Sequence, residues 1–281
     1  MRVAIVSHRT SATNLGLAAR GWNGFAAELM SPGEALLTLG RGDVALGRLD
    51  VSETLDGVEE GLRALDRLAD GGVRILNGPD ALLAAHDKLL SARILRREAL
   101  PHPRTVLIER HKDRPDLDLP AVLKPRFGSW GRDVVLCRDR SELEQALEAF
   151  GFRPWFRRTG ALAQELIRPL GFDFRLVVAK GKIVGASKRT ARPGEWRTNV
   201  ALGASSVGTI PPPVASRLAL AAAEASGLDL VGVDLLPTGP GGFCVIELNG
   251  AVDFGLHYSF PGRNAFADAM EALAGDHALA A

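Results

Sequence analysis

Two apolar segments near the C-terminus constrain the fold of this chain most. They read Val231-Gly232-Val233-Asp234-Leu235-Leu236 and Phe243-Cys244-Val245-Ile246-Glu247-Leu248-Asn249, joined by a Pro/Gly-rich stretch from Pro237 to Gly242. Segments this short, joined this closely, read as the two strands of an antiparallel hairpin. Side chains alternate along a strand, so Glu247 and Asn249 share a face. With Leu236 opposite Val245, Asp234 falls opposite Glu247. Two carboxylates and an amide oxygen then converge among apolar neighbours, an arrangement that calls for a cation. Hard oxygen donors with room left for phosphates describe a magnesium site.

At 281 residues the chain can bury a sizeable core, as one large domain or two to three small ones. The net charge is +1, so no global field favours nucleic acid or an anionic membrane. Apolar runs are broken well before 18 residues, and no membrane span is expected. Met1 to Ser7 reads as a buried strand rather than a signal peptide. Cys137 and Cys244 sit in strand-like contexts, which points to a reducing cytoplasm without a structural disulfide. Positive charge is carried mainly by arginine; lysine occurs only at 88, 112, 124, 180, 182 and 188.

Periodicity divides the chain into three units. Residues 1–78 read as a small parallel-sheet domain: strands over 2–7, 43–49 and 73–77, with helices over 15–30 and 56–69. Residues 79–158 read as a helix from Asp80 to about Arg97, strands over 104–108, 121–125 and 133–137, and a helix over 141–150 capped by Ser141 with Glu144. Residues 159–281 read as a strand at 161–167, a hairpin of 172–179 with 182–188, a helix over 213–226, the two site-bearing strands and a closing helix over 265–274.

Several residues carry chemistry in combination. Lys124 ends an apolar strand, where its ammonium either meets an anion or snorkels to water. Gly128-Ser129-Trp130-Gly131-Arg132 follows, either a phosphate-approaching loop or an ordinary hairpin turn. Lys88 reads as a mid-helix residue, whose default is solvent exposure. Gln164-Glu165-Leu166-Ile167 ends a strand; Asp173-x-Arg175 and Arg197-Thr198-Asn199 come later. The six histidines show no zinc-ligand spacing. Neither a Gly-x-Ser-x-Gly elbow nor a P-loop is present.

Taken in order, Asp87-Lys88, Lys124, the 128–132 loop, Gln164-Glu165, Asp173-x-Arg175, Arg197-Thr-Asn199, Asp234 and Glu247-x-Asn249 resemble the ATP-grasp superfamily. The Arg-Thr-Asn triplet and the Glu-Leu-Asn strand are similar to its RimK-type branch of amino-acid ligases, and the Lys124 to Arg132 stretch resembles the LysX enzymes of that branch. The resemblance implies an α/β ATP-grasp fold, a small N-terminal domain followed by two α+β subdomains that clasp ATP. It implies that Lys88 and Lys124 hold the phosphates. Gly128, Ser129, Trp130 and Gly131 form a lid. Glu165, Leu166 and Ile167 line the adenine pocket, Asp173 binds the ribose, and Arg175 orders that wall. Asp234, Glu247 and Asn249 hold two magnesium ions, with manganese as a substitute. Arg197, Asn199 and Arg189 act on the transferring phosphoryl group.

From residue type and loop position, Arg9, Arg48, Arg189 and Arg263 are carboxylate clamps for the acceptor, with Asp253 beside them. The stretch Gly250 to Phe254 is small at Gly250 and Ala251, where larger groups are common in LysX-like proteins. The implied reaction activates a carboxylate as an acyl phosphate and joins it to an amino-acid amine, releasing ADP and phosphate. The amine expected is glutamate, and the carboxylate belongs to a small molecule or a protein C-terminal tail. A LysX-like ligase of carrier-protein-dependent lysine or arginine biosynthesis, a small-molecule kinase and a non-catalytic nucleotide-binding protein are the alternatives; the metal triad and both lysines argue against the last. Dimers or tetramers are the assemblies the resemblance implies.

Overall fold

The computed structural model describes residues 1–22 and 25–275; His277 and the rest of the final segment lie outside them. Its first unit runs β1 (Val3–Val6), α1 (Ala12–Ala18), β2 (Ala27–Met30), α2 (Pro32–Thr38), β3 (Val44–Gly47), α3 (Leu62–Asp70) and β4 (Arg74–Leu76). The strands pair in parallel in the order β2-β1-β3-β4. β1 and β3 are buried throughout, which is why they read as continuous apolar runs.

This unit departs from the expected helix over 15–30. The helix stops after Ala18, where Gly21 takes a positive φ of 66° with the Phe25 carbonyl packed against it. Ala27–Met30 is instead a strand paired with β1. α2, absent from the sequence reading, begins at a full capping box, Ser31 with Glu34, and has a proline in its first turn. α3 starts at Leu62 rather than Asp56, because the Asp56 carboxylate accepts from Ser52 and Thr54 and shapes a turn.

The central unit comprises α4 (Pro79–His86), α5 (Lys88–Arg97), β5 (Thr105–Ile108), β6 (Ala121–Pro125), β7 (Val135–Cys137), α6 (Arg140–Gly151), α7 (Pro154–Thr159) and β8 (Ala161–Glu165). Its antiparallel sheet has the order β5-β8-β6-β7. β8 therefore lies in the central sheet, between β5 and β6, although the sequence reading opened the third unit with it. α6 is capped by Asp139, whose carboxylate accepts from the Glu142 amide, not by Ser141.

A second antiparallel sheet, β11-β10-β9-β12-β13, is built from β9 (Phe172–Ala179), β10 (Lys182–Thr190), β11 (Ser205–Gly208), β12 (Leu230–Gly239) and β13 (Gly242–Asn249), with α8 (Pro213–Ser226) and α9 (Ala265–Ala274). One apolar cluster joins Ala4, Val6 and Leu65 to Leu176, Val231 and Val245. Another joins Ile5 and Leu46 to Val177, Leu230 and Phe266. The N-terminal and five-stranded sheets thus share their core. The four-stranded antiparallel sheet with α6 and α7 has its own, around Leu123, Leu147 and Trp155, while α4 and α5 pack into the first cluster through Leu82, Ala85 and Leu95. The cleft lies between the two antiparallel sheets.

Candidate active site

The β12–β13 hairpin puts Asp234 opposite Glu247, as its alternation predicts. The expected Leu236–Val245 pair is not formed. Val245 lies opposite Leu235, and Ile246 is an extra residue on β13, a β-bulge. Its effect is local and specific. Ile246 and Glu247, adjacent in sequence, both line the cleft, together with Asp234 and Leu236. An apolar wall and a carboxylate are thereby set side by side.

Lys88 and Lys124 enter the cleft from different elements. Lys88 is not mid-helix: the chain breaks at Asp87, whose side chain caps α5 by accepting from Leu89 and Leu90 and pairs with Arg126 at 2.5 and 2.8 Å. Lys88 is thus the first residue of α5. Its Nζ donates to the Gly128 carbonyl at 2.5 Å and pairs with Glu247 at 2.9 Å. Lys124, on β6, is 7% exposed and donates to Gln164 Oε1 at 2.7 Å. Burial, with help from Lys88, pushes its ammonium down to about 7, against a smaller opposing pull from Glu247.

The loop over these lysines is conformationally unusual. Trp130 and Gly131 both have positive φ, 56° and 72°, and a Cβ at Gly131 would lie 2.9 Å from Asn199 Oδ1. A tryptophan in the left-handed region is strained, and such strain concentrates at functional sites. The Trp130 ring has the guanidinium carbons of Arg9 and Arg132 each 5.1 Å from its centroid. The Ser129 hydroxyl and two Arg132 nitrogens are buried with no hydrogen-bond partner among the described residues.

On the five-stranded sheet, charges interlock. Arg175 donates to both oxygens of Asp234 at 2.7 Å. Arg189 donates to Asp173 at 2.7 and 2.5 Å and to Asp234 at 2.8 Å, while Thr198 donates to Asp173 at 2.5 Å. Burial raises the Asp234 carboxyl, but Arg175 and Arg189 outweigh it and hold the group at about 2. Arg197 is fixed by Glu195 and by the Gly131 and Val134 carbonyls, so it ties the 128–132 loop and the entry to β7 to this sheet. Glu165 ends β8, Leu166 and Ile167 follow it, and all three line the same cleft. Sequence reasoning assigned no role to Gln164, Thr198 or Glu195. The first two stand inside motifs already singled out, so position could have flagged them.

A second cavity of about 540 Å³ adjoins the first and shares Ser129, Trp130, Arg189, Asn199 and Glu247 with it. Asp50, Arg175, Asn249 and Asp253 also line it. Three of the expected clamps are placed elsewhere. Arg9 is paired with Asp50 at 2.6 Å and Glu59 at 2.8 Å. Arg48 is 2% exposed, donating to Asn14 at 2.5 Å and the Val252 carbonyl at 2.7 Å. Arg263 is on the surface, bound to Asp268, and lines neither cavity. Each formed a local salt bridge or backbone contact that spacing alone does not reveal.

Among the described residues no group of three or more His, Cys, Asp or Glu could hold a metal. The set Asp234, Glu247 and Asn249 nevertheless fits a magnesium ion. Its donors are hard oxygens, and the Asn249 amide nitrogen is buried without a partner, so that side chain is not committed to a protein contact. Two carboxylates leave the remaining coordination to phosphate oxygens and water.

Two sheets facing across a cleft, with lysines from α5 and β6 and carboxylates on a hairpin, define an ATP-grasp protein. The RimK-like ATP-grasp domain model matches residues 85–264, and the chain belongs to that family. A crystal structure of a RimK-domain ATP-grasp protein from Sphaerobacter thermophilus superposes with a TM-score of 0.66 at 24% identity, covering 98% of each chain. The D-cycloserine synthetase DcsG gives a TM-score of 0.72 at 20% identity, over 98% of this chain and 99% of that one. A probable alpha-L-glutamate ligase 2 of Shewanella frigidimarina is 35% identical over 184 residues, 63% of this chain and 60% of that protein. The chain thus spans less than two thirds of the length of such curated relatives.

Proposed function

We propose that this chain is an ATP-dependent carboxylate–amine ligase. The observation that carries the proposal is the convergence of Lys88, Lys124 and Glu247 at one end of a cleft whose other end is apolar. Lys124 and Lys88 neutralise the phosphates, with the 128–132 loop closing over them and its unpartnered Ser129 and Arg132 groups turning to phosphate oxygens. The end of β8 and the chain just after it, Glu165 to Ile167, offer backbone groups to the base beside Leu236 and Ile246. Asp173 holds Arg189 and Thr198 in place, and Arg175 holds Asp234. Asp234, Glu247 and Asn249 would hold magnesium, two ions in the full complement with manganese as a substitute. The metal supplies charge neutralisation at the phosphates.

A substrate carboxylate then attacks the γ-phosphorus, giving an acyl phosphate and ADP. An amine attacks the acyl carbon, phosphate leaves, and the amine gives up a proton. The first step needs position and charge rather than acid–base chemistry, which suits a nucleotide cleft whose lining, among the described residues, includes no His or Cys. Arg197 and Asn199 face the transferring group from the β10–β11 side. The second cavity, sharing Glu247 and Asn199 with the first, receives the substrates that react.

The test is a panel of amino acids and carboxylates scored for ADP release, with the product weighed. A gain of one amine component less water supports ligation. A gain of one phosphoryl group shows a kinase instead, and ATP binding without turnover on any substrate counts against an enzyme.

A further inference from the structure

Three carboxylates line the second cavity, and they differ in what they face. Glu247 is paired with Lys88 at 2.9 Å, and Asp50 with Arg9 at 2.6 Å. Asp253 is exposed, lines the cavity and makes no ion pair among the described residues. The two arginines that line the cavity are committed: Arg175 to both oxygens of Asp234, Arg189 to Asp173 and Asp234. Behind the wall, Arg48 acts electrostatically on Asp253 and Asp50, but its guanidinium is buried and held by Asn14 and the Val252 carbonyl. Around this corner two arginines, Arg9 and Arg48, stand against three carboxylates, Asp50, Glu59 and Asp253.

One negative charge is left over, and it faces the space where a substrate must sit. An acidic amino acid would turn its side-chain carboxylate toward Asp253, at a corner whose two arginines, Arg9 and Arg48, already face Asp50, Glu59 and Asp253, so like charges would meet there. The geometry points to a different substrate class: the second cavity takes an amino compound that presents an ammonium or guanidinium group to Asp253, rather than a glutamate-like diacid. Asp253 is the specificity residue, and Asp50, held by Arg9 and lining the same wall, supports it. The inference rests on the ligase reading, because that reading places the reacting substrates in this cavity.

The test compares L-lysine and L-ornithine with L-glutamate, each titrated calorimetrically into the full chain with Mg²⁺ and the non-hydrolysable analogue AMPPNP. The expected result is binding of a cationic probe at least tenfold tighter than L-glutamate. Asp253→Asn should remove most of that ratio and Asp253→Glu should keep it, with AMPPNP binding serving as the folding control. Glutamate binding as tightly as lysine, a ratio unchanged in Asp253→Asn, or no binding by any probe overturns the inference. ADP release with the same probes and a panel of carboxylates is scored separately. Selective binding of cations without ADP release sinks the ligase reading and leaves the charge selection standing. Turnover that selects glutamate does the reverse.

Discussion

Lys124 has an apolar strand beneath it, Gln164 as its neutral hydrogen-bond partner and Lys88 as a like-charged neighbour. Burial moves it from 10.5 to about 7, so the free protein releases this proton well before an exposed lysine would. The folded pKa lies below the unfolded one. The unfolded chain therefore binds more protons between about pH 7 and 10, and this residue's contribution makes stability rise with pH across that window. Phosphates reverse the shift. At pH 8 nucleotide binding should draw close to one proton per site from solution. Calorimetry in buffers of different ionisation enthalpy will show this uptake, and Lys124→Arg, charged throughout, should lack it. Glu247 gives a second residue-scale expectation. It is partly exposed, and its ion-pair partner Lys88 keeps the Gly128 carbonyl, so Glu247→Ala should stay folded and soluble with at most a small change in melting temperature. ADP release should fall by roughly a hundredfold or more. A variant with near-normal turnover would remove Glu247 from the metal site.

At the scale of elements, small irregularities place the chemistry. The break at Asp87 turns one expected helix into two and brings Lys88 to a helix start, where its side chain reaches Gly128 and Glu247. Asp87 is 1% exposed and does two jobs, capping α5 and pairing with Arg126. Asp87→Ala should lower the unfolding free energy by about 2 kcal/mol, the sum of a lost cap and a half-buried ion pair. Asp87→Asn, which still caps, should recover part of it. Urea denaturation followed by circular dichroism measures both. The bulge at Ile246 is the companion case, since a regular strand would have turned Ile246 away from the face that carries Glu247.

For the whole molecule, the Asn77 side chain ties the N-terminal sheet to the β12–β13 hairpin. Asn77, at the end of β4, is fully buried with a positive φ of 51°. Its amide donates to the Leu230 and Gly250 carbonyls, and its oxygen accepts from the Asp229 and Leu230 amides. Every bond ends on the strands and loop that carry Asp234 and Asn249. Asn77→Ala strands several buried backbone groups at once and should cost about 3 kcal/mol. The two sheets share their apolar clusters, so the loss should appear as a single shifted transition in calorimetry rather than a separate early one. Cooperative unfolding in two steps would show that the N-terminal sheet is an independent unit. Among the described residues no helix is long and apolar enough to cross a membrane.

Local pattern reaches the features that neighbouring residues set. The hairpin facing Asp234 with Glu247 was legible because strand alternation is a property of neighbouring residues. β9 with β10, α8 and α9 were legible for the same reason. The family, too, could be read from the order of motifs. Contacts between distant segments set the rest. Residues 27–30 become a strand because β1 offers them a parallel edge, which no local spacing records. Arg9, Arg48 and Arg263 looked free in the sequence and are engaged in the fold, because their partners lie 5 to 204 positions away. By the same accounting Asp253 lines the second cavity without an ion pair among the described residues. Residue type fixes which charges a chain carries. Which of them remain uncompensated at a cavity depends on contacts between distant segments, and those exist only once the sheets have packed.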